Sequence, residues 1–89
     1  DNIAENNTIA FNVFPSVTDG NLTIAFPAPL TGAAQIELRD LSGRLVENTN
    51  LSAGMTLLQM DLSNETDGFY VVRVTTGSQT ATKVVVKQH

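Results

Sequence analysis

The side chains that could do chemistry are few and badly placed for it. Histidine occurs once, as His89, the last residue, where a general base is hard to hold in geometry. We read it as a frayed end or the start of a purification tag. There is no cysteine, so the chain has neither a thiolate nucleophile nor thiolate metal ligands. A Ser/His/Asp triad lacks its base, and no glycine-rich phosphate loop precedes a helix. The densest acidic stretch is "DLSNETDG", with Asp61, Asn64, Glu65 and Asp67. Crowded oxygen ligands of this kind can hold Ca²⁺, but the spacing is not that of an EF-hand loop and no bidentate Glu follows. A solvated turn between strands is the simpler reading. Asp40 and Asp61 could act as a carboxylate pair, yet nothing in the sequence brings them together. The residues therefore predict no enzyme, no cofactor and no metal.

Charge narrows the partners. The net charge of −4 argues against nucleic acid. All nine acidic residues lie at or before Asp67, and the charges after it are Arg73, Lys83 and Lys87. The end of an acidic chain is thus basic. No stretch approaches the length of a membrane-spanning apolar run, and no charged-then-apolar leader opens the sequence. This segment is expected neither to insert in a membrane nor to carry its own N-terminal export signal. Four N-x-[ST] sequons begin at Asn6, Asn21, Asn50 and Asn64, and in a chain this rich in Asn, Ser and Thr they carry no weight.

The positioning elements read as strands. Glycines at 20, 32, 43, 54, 68 and 77 cut the chain into seven segments, most with period-two alternation. The spacing predicts strands at 10–14, 21–26, 34–40, 44–49, 56–62, 69–75 and 80–87. The inward set is Phe11 and Val13; Leu22, Ile24 and Phe26; Ile36 and Leu38; Leu58, Met60 and Leu62; Tyr70, Val72 and Val74; and Val84 and Val86. Seven short strands with regular turn signals make an all-β antiparallel sandwich. "TDGN", "TTGS" and "DLSG" supply the turn chemistry, the last on Asp40, Ser42 and Gly43. Pro15, Pro27 and Pro29 fall where a ladder donor can be missing. Residues 1–9 are polar, Asn-rich and without period, and read as a linker ahead of a domain over residues 10–89.

On this parity Phe69, Val71 and Arg73 face outward, beside Lys83, Val85 and Lys87 on the last strand. The expected result is a small apolar strip bordered by three cations, either a docking face or lysine protection of a sheet edge. Arg73 could also pair with Glu37 on a neighbouring strand.

Read in order, four blocks resemble one family. "FNVFPSVTDGNLTIAF" is similar to the opening of the type IX (Por) secretion system C-terminal sorting domain of Bacteroidetes-type bacteria. "AQIELRDLSGRLV" resembles its strand, Asp-x-x-Gly turn and next strand. "LLQMDLSNETDGFYVVRV" resembles its Asp-Leu-Ser and Gly-x-Tyr-x-Val block, and "GSQTATKVVVKQ" its closing turn and Lys-Val-Val strand. Phe14, Ser16 and Val17 depart from the usual Tyr and Asn-Pro.

The resemblance implies a seven-stranded Ig-like β-sandwich at the C-terminus of a larger secreted protein. Its partners would be the upstream cargo on the same chain, the outer-membrane translocon and a sortase-like peptidase. The peptidase commonly cuts before the tail, so the protein would sit in the periplasm in transit and then at the cell surface or outside. Asn2, Ile3, Ala4, Glu5, Asn6, Asn7 and Thr8 have the composition of an accessible cleavage stretch. The family's closing motifs carry over to Gly68, Tyr70, Gly77, Lys83, Val84, Val85 and Val86, with Val71, Arg73 and Lys87 joining them on the strip. Gly68 and Tyr70 are expected to act through the fold, Lys83 and Val85 by direct contact. On that reading Lys83→Glu with Val85→Asp blocks export from a folded domain. The alternative is an accessory Ig-like module binding carbohydrate or protein. The absence of Trp and the single Tyr lean against sugar stacking.

Overall fold

The structure, a computed structural model, describes residues 9–88. These form eight strands: β1 (Asn12–Phe14), β2 (Val17–Thr18), β3 (Asn21–Ala25), β4 (Ala34–Asp40), β5 (Leu45–Leu51), β6 (Leu57–Asp61), β7 (Gly68–Thr76) and β8 (Gln79–Lys87). They make a three-stranded sheet in the order β1-β3-β6 and a five-stranded sheet in the order β2-β8-β7-β4-β5. Alternation drives the arrangement. Leu22, Ile24 and Met60 point from the small sheet, and Ile36, Leu38, Tyr70, Val72 and Val74 from the large one, into one shared core. Each buried aliphatic side chain contributes roughly 1.5–3 kcal/mol of transfer free energy, and no disulfide supplements it.

The strand count corrects the expected seven. Pro15 cannot donate to a ladder, and here the chain leaves the small sheet for the large one. β1 pairs with β3, while β2 pairs with β8, and that pairing is parallel rather than antiparallel. A two-residue strand is too short to leave a period in the sequence. The expected linker lies outside the described residues except for Ile9, which is buried in the core.

The inward sets of the earlier strands hold, with Val13 and Leu58 partly buried against the core. The last strand is reversed. Val85 is fully buried and Val84 is 58% exposed. The cause is the turn: Thr76 pairs with Gln79, leaving a two-residue loop of Gly77 and Ser78. Gly77 has φ +56° at the first loop position, the glycine-first pattern that matches strand twist in tight hairpins. That loop sets Tyr70 opposite Val85 and Val71 opposite Val84. A one-residue shift sends every side chain to the other face.

Candidate functional site

The hairpin of β7 and β8 lies inside the five-stranded sheet, flanked by β4 and β2. It carries all ten candidate recognition residues, divided between two faces. Val71, Arg73, Val84 and Val86 face outward, alongside Phe69. Tyr70, Val85, Lys83 and Lys87 face the core side, so the expected outer trio of Lys83, Val85 and Lys87 is corrected. Gly77 forms the turn. Gly68 pairs with Lys87 at the opposite end, at φ +151°, which side chains rarely adopt.

The two inward lysines have different surroundings. Lys87 is buried, and its ammonium lies 3.2 Å from Asp67 at the end of the β6–β7 loop. It sits where β2 covers β8, beside buried Thr18. Lys83 is exposed, at a part of β8 that β2 does not reach, with its ammonium 5.7 Å from the centre of the Phe11 ring. Tyr70 donates its hydroxyl proton to the carbonyl of Thr66 four residues upstream, tying the β6–β7 loop to the start of β7.

Two Asp-Leu-Ser turns fix this end of the molecule. Asp40 Oδ1 accepts from the Ser42 hydroxyl at 2.6 Å and from the backbone N–H groups of Ser42 and Arg44 at 3.0 Å. These bonds, with the Ser42 hydroxyl foremost, hold its pKa down from 3.8 to about 2. Arg44 joins the turn to the loop, at 3.0 Å from Asp40 and 3.3 Å from Glu65, and its own pKa is raised by Asp40 first. Asp61 accepts from the Ser63 N–H at 2.8 Å, which lowers its pKa. The carboxylates of "DLSNETDG" are thus engaged separately: Asp61 with Ser63, Glu65 with Arg44, and Asp67 with Lys87. Among the described residues no three His, Cys, Asp or Glu side chains are grouped to hold a metal, and no helix is long and apolar enough to cross a membrane.

On the outer face the register sets Val17 beside Val86, Val86 beside Phe69, and Val84 beside Val71. Phe69, Val84 and Val17 are each more than half exposed. Arg73 lies directly opposite Glu37, but that carboxylate is 3.3 Å from Arg39 instead. Among the described residues Arg73 makes no ion pair. Val17, Leu41 and Leu45 are members of this surface that the strand spacing did not suggest. Leu41 alone left a trace in the sequence, as an apolar residue inside a polar turn. Asn2 to Thr8 and His89 lie outside the described residues.

Curated proteins give no match to the chain. Residues 12–88 match the family described as Secretion system C-terminal sorting domain. That span begins on the first residue of β1 and ends one residue past β8, taking in every strand of both sheets. The chain therefore belongs to the type IX secretion C-terminal sorting domain family.

Proposed function

We propose that this domain is a non-catalytic sorting signal that sends a protein joined to its N-terminal side through the type IX outer-membrane translocon to the cell surface. The observation that carries this is the family match across all eight strands. The closing hairpin adds support: β7 is paired on both sides and β8 along β7, so a receptor would meet a formed surface. We further read the fold as Ig-like. The two sheet orders fit, and so does the Tyr70 hydroxyl bonded back to Thr66 at the start of β7, the corner typical of such sandwiches. Cleavage by a sortase-like peptidase belongs to the same reading, with residues 2–8 as the candidate stretch. Arg73, Val71, Val84 and Val86 are the candidate contacts; Gly68, Tyr70, Gly77, Val85 and Lys87 act through the fold.

The test joins residues 1–88 behind a signal peptide and a fluorescent protein in a host with type IX machinery. Fluorescence is expected at the surface or in the medium. Retention in the periplasm, with the domain folded, would overturn the sorting function. Mass spectrometry of the exported cargo reports cleavage separately: cargo recovered with its tail intact removes the peptidase from the proposal.

A further inference from the structure

The outer face of the five-stranded sheet is not uniform along its strands. At the end holding the C-terminus of β8, the rows across the sheet are apolar: Val17, Val86 and Phe69, then Val84 and Val71 followed by Arg39 and Leu45. Toward the β7–β8 turn the rows become Thr82, Arg73, Glu37 and Asn48, then Thr80, Thr75, Gln35 and Asn50. Isolated exposed apolar residues are ordinary; Val17, Phe69 and Val84, 53–58% exposed and joined through Val86 and Val71, form a contiguous set of the kind that marks a contact surface, with Leu45 beyond Arg39.

Two observations say what covers it. The first is where the chain enters. Ile9 borders the same hollow as Thr76 and Gln79, so the described chain enters the domain at the hairpin-turn end. Val86 and Phe69 lie about 20–25 Å further along β8, at roughly 3.3 Å per residue. The apolar half is therefore the half farthest from the point where the described chain enters. The second is charge. A hollow of about 390 Å³ is lined by Leu41 and Val71 together with Arg73, Arg39, Asp40 and Thr80. Asp40 is engaged by Ser42 and Arg44, Arg39 is occupied by Glu37 and the Gly43 carbonyl, and Arg73 makes no ion pair among the described residues. Such a site suits an apolar side chain with a carboxylate beside it, since Arg binds carboxylates through a planar fork of donors. A second copy of the chain is disfavoured by a net charge of −4 on each partner.

Resting on the sorting function proposed above, we infer that the turn-distal half of this face docks a partner protein of the export machinery that presents an apolar anchor flanked by carboxylates. Phe69, Val84, Val71, Val86 and Val17 form the apolar contact, Arg73 takes the carboxylate, and the described chain enters at the opposite end. Lys83 and Lys87 take no part.

The fusion described above carries the test, with circular dichroism and thermal melting of each purified tail as the check on folding. Phe69→Ser with Val84→Thr is expected to lower export at least tenfold from a folded domain. Arg73→Glu is expected to lose export severalfold and Arg73→Lys to lose less, because lysine keeps the charge but not the fork of donors. Asn50→Glu, at the polar end and outside the lining of the Arg73 hollow, is expected to leave export unchanged. Should the first pair unfold, Val17→Thr with Leu45→Thr probes the same face from other strands. If the wild-type fusion is itself retained, the sorting function falls and this inference with it. If wild type and folded face variants are exported alike, the docking face is overturned and sorting stands. If the tail sediments as a dimer that Phe69→Ser dissociates, a second copy is the occupant and the partner assignment is overturned.

Discussion

The inner and outer faces of the β7–β8 hairpin are built from the same residue types and are used differently. Tyr70, Val72, Val74 and Val85 are at most 2% exposed, whereas Phe69 and Val84, one residue along, are more than half exposed. Valine and aromatic residues suit a strand on either face, so composition does not separate the two. Burial does: removing a methyl from the inner face costs packing as well as transfer energy, while Phe69 and Val84 on the outer face are more than half exposed and have less packing to lose. The inner face holds the domain together; the outer face is left available for contact.

The largest expected effect breaks the inner face. Val85→Asp would place a carboxylate opposite Tyr70 in the core, where an uncompensated charge costs about 3–5 kcal/mol or more. A domain of this size has about 5–13 kcal/mol in hand, so urea denaturation should show a largely unfolded or barely stable protein. The expectation that Val85→Asp leaves the fold intact is thereby withdrawn. Next is Asp67→Ala, which strands the buried Lys87 ammonium. Because Asp67 is half exposed and water screens the pair, the loss should be about 1–2 kcal/mol in urea midpoint experiments. Adding Lys87→Met should recover most of it, since a methionine fills that site without a charge. Tyr70→Phe removes one hydroxyl donor from the Thr66 carbonyl and should cost about 1 kcal/mol with an unchanged denaturant slope. On the outer face, Val84→Thr should change stability by less than about 0.5 kcal/mol. A larger loss would mean that something packs on this face in the isolated domain.

Sequence reasoning recovered the strands that alternate cleanly and failed where alternation carries no information. "Leu-Thr-Ile-Ala-Phe" and "Ile-Glu-Leu-Arg" commit one parity to the core, and Ile24, Ile36 and Leu38 are fully buried as expected. "Lys-Val-Val-Val-Lys" commits neither, because three successive valines fit both faces. Sending both lysines to solvent seemed to decide it, but a lysine can extend its stem along apolar surface and deliver its charge elsewhere. Lys87 does so to Asp67 and Lys83 over Phe11. The turn was the better guide: once Gly77 and Ser78 form a two-residue loop, the parity of β8 follows. β2 was illegible for another reason. Its two residues owe their pairing to where Pro15 redirects the chain, and no local propensity encodes that. The docking surface inherits both blind spots, since Val84 depends on the parity and Val17 on β2.

The smallest expected effect concerns the turn that carries Leu41 to the rim of the outer face. Asp40 is held at a pKa of about 2 against an ordinary 3.8, because the ionised carboxylate accepts from the Ser42 hydroxyl, two backbone N–H groups and the Arg44 side chain. Its folded pKa lies below its unfolded one, so the unfolded chain binds the proton more tightly. The stabilisation is therefore fully present above about pH 4 and is lost as pH falls through about 2. Asp40→Asn has no such titration. The urea midpoints of wild type and variant should separate as pH rises from about 2 to 4 and run parallel above it, with the wild type ahead. A constant gap across that window would show that the turn does not hold its carboxylate ionised, and Leu41 would lose its fixed place beside Val71 and Arg73. Because the carboxylate is on the surface and screened by water, the separation should be small beside any change on the inner face of the hairpin.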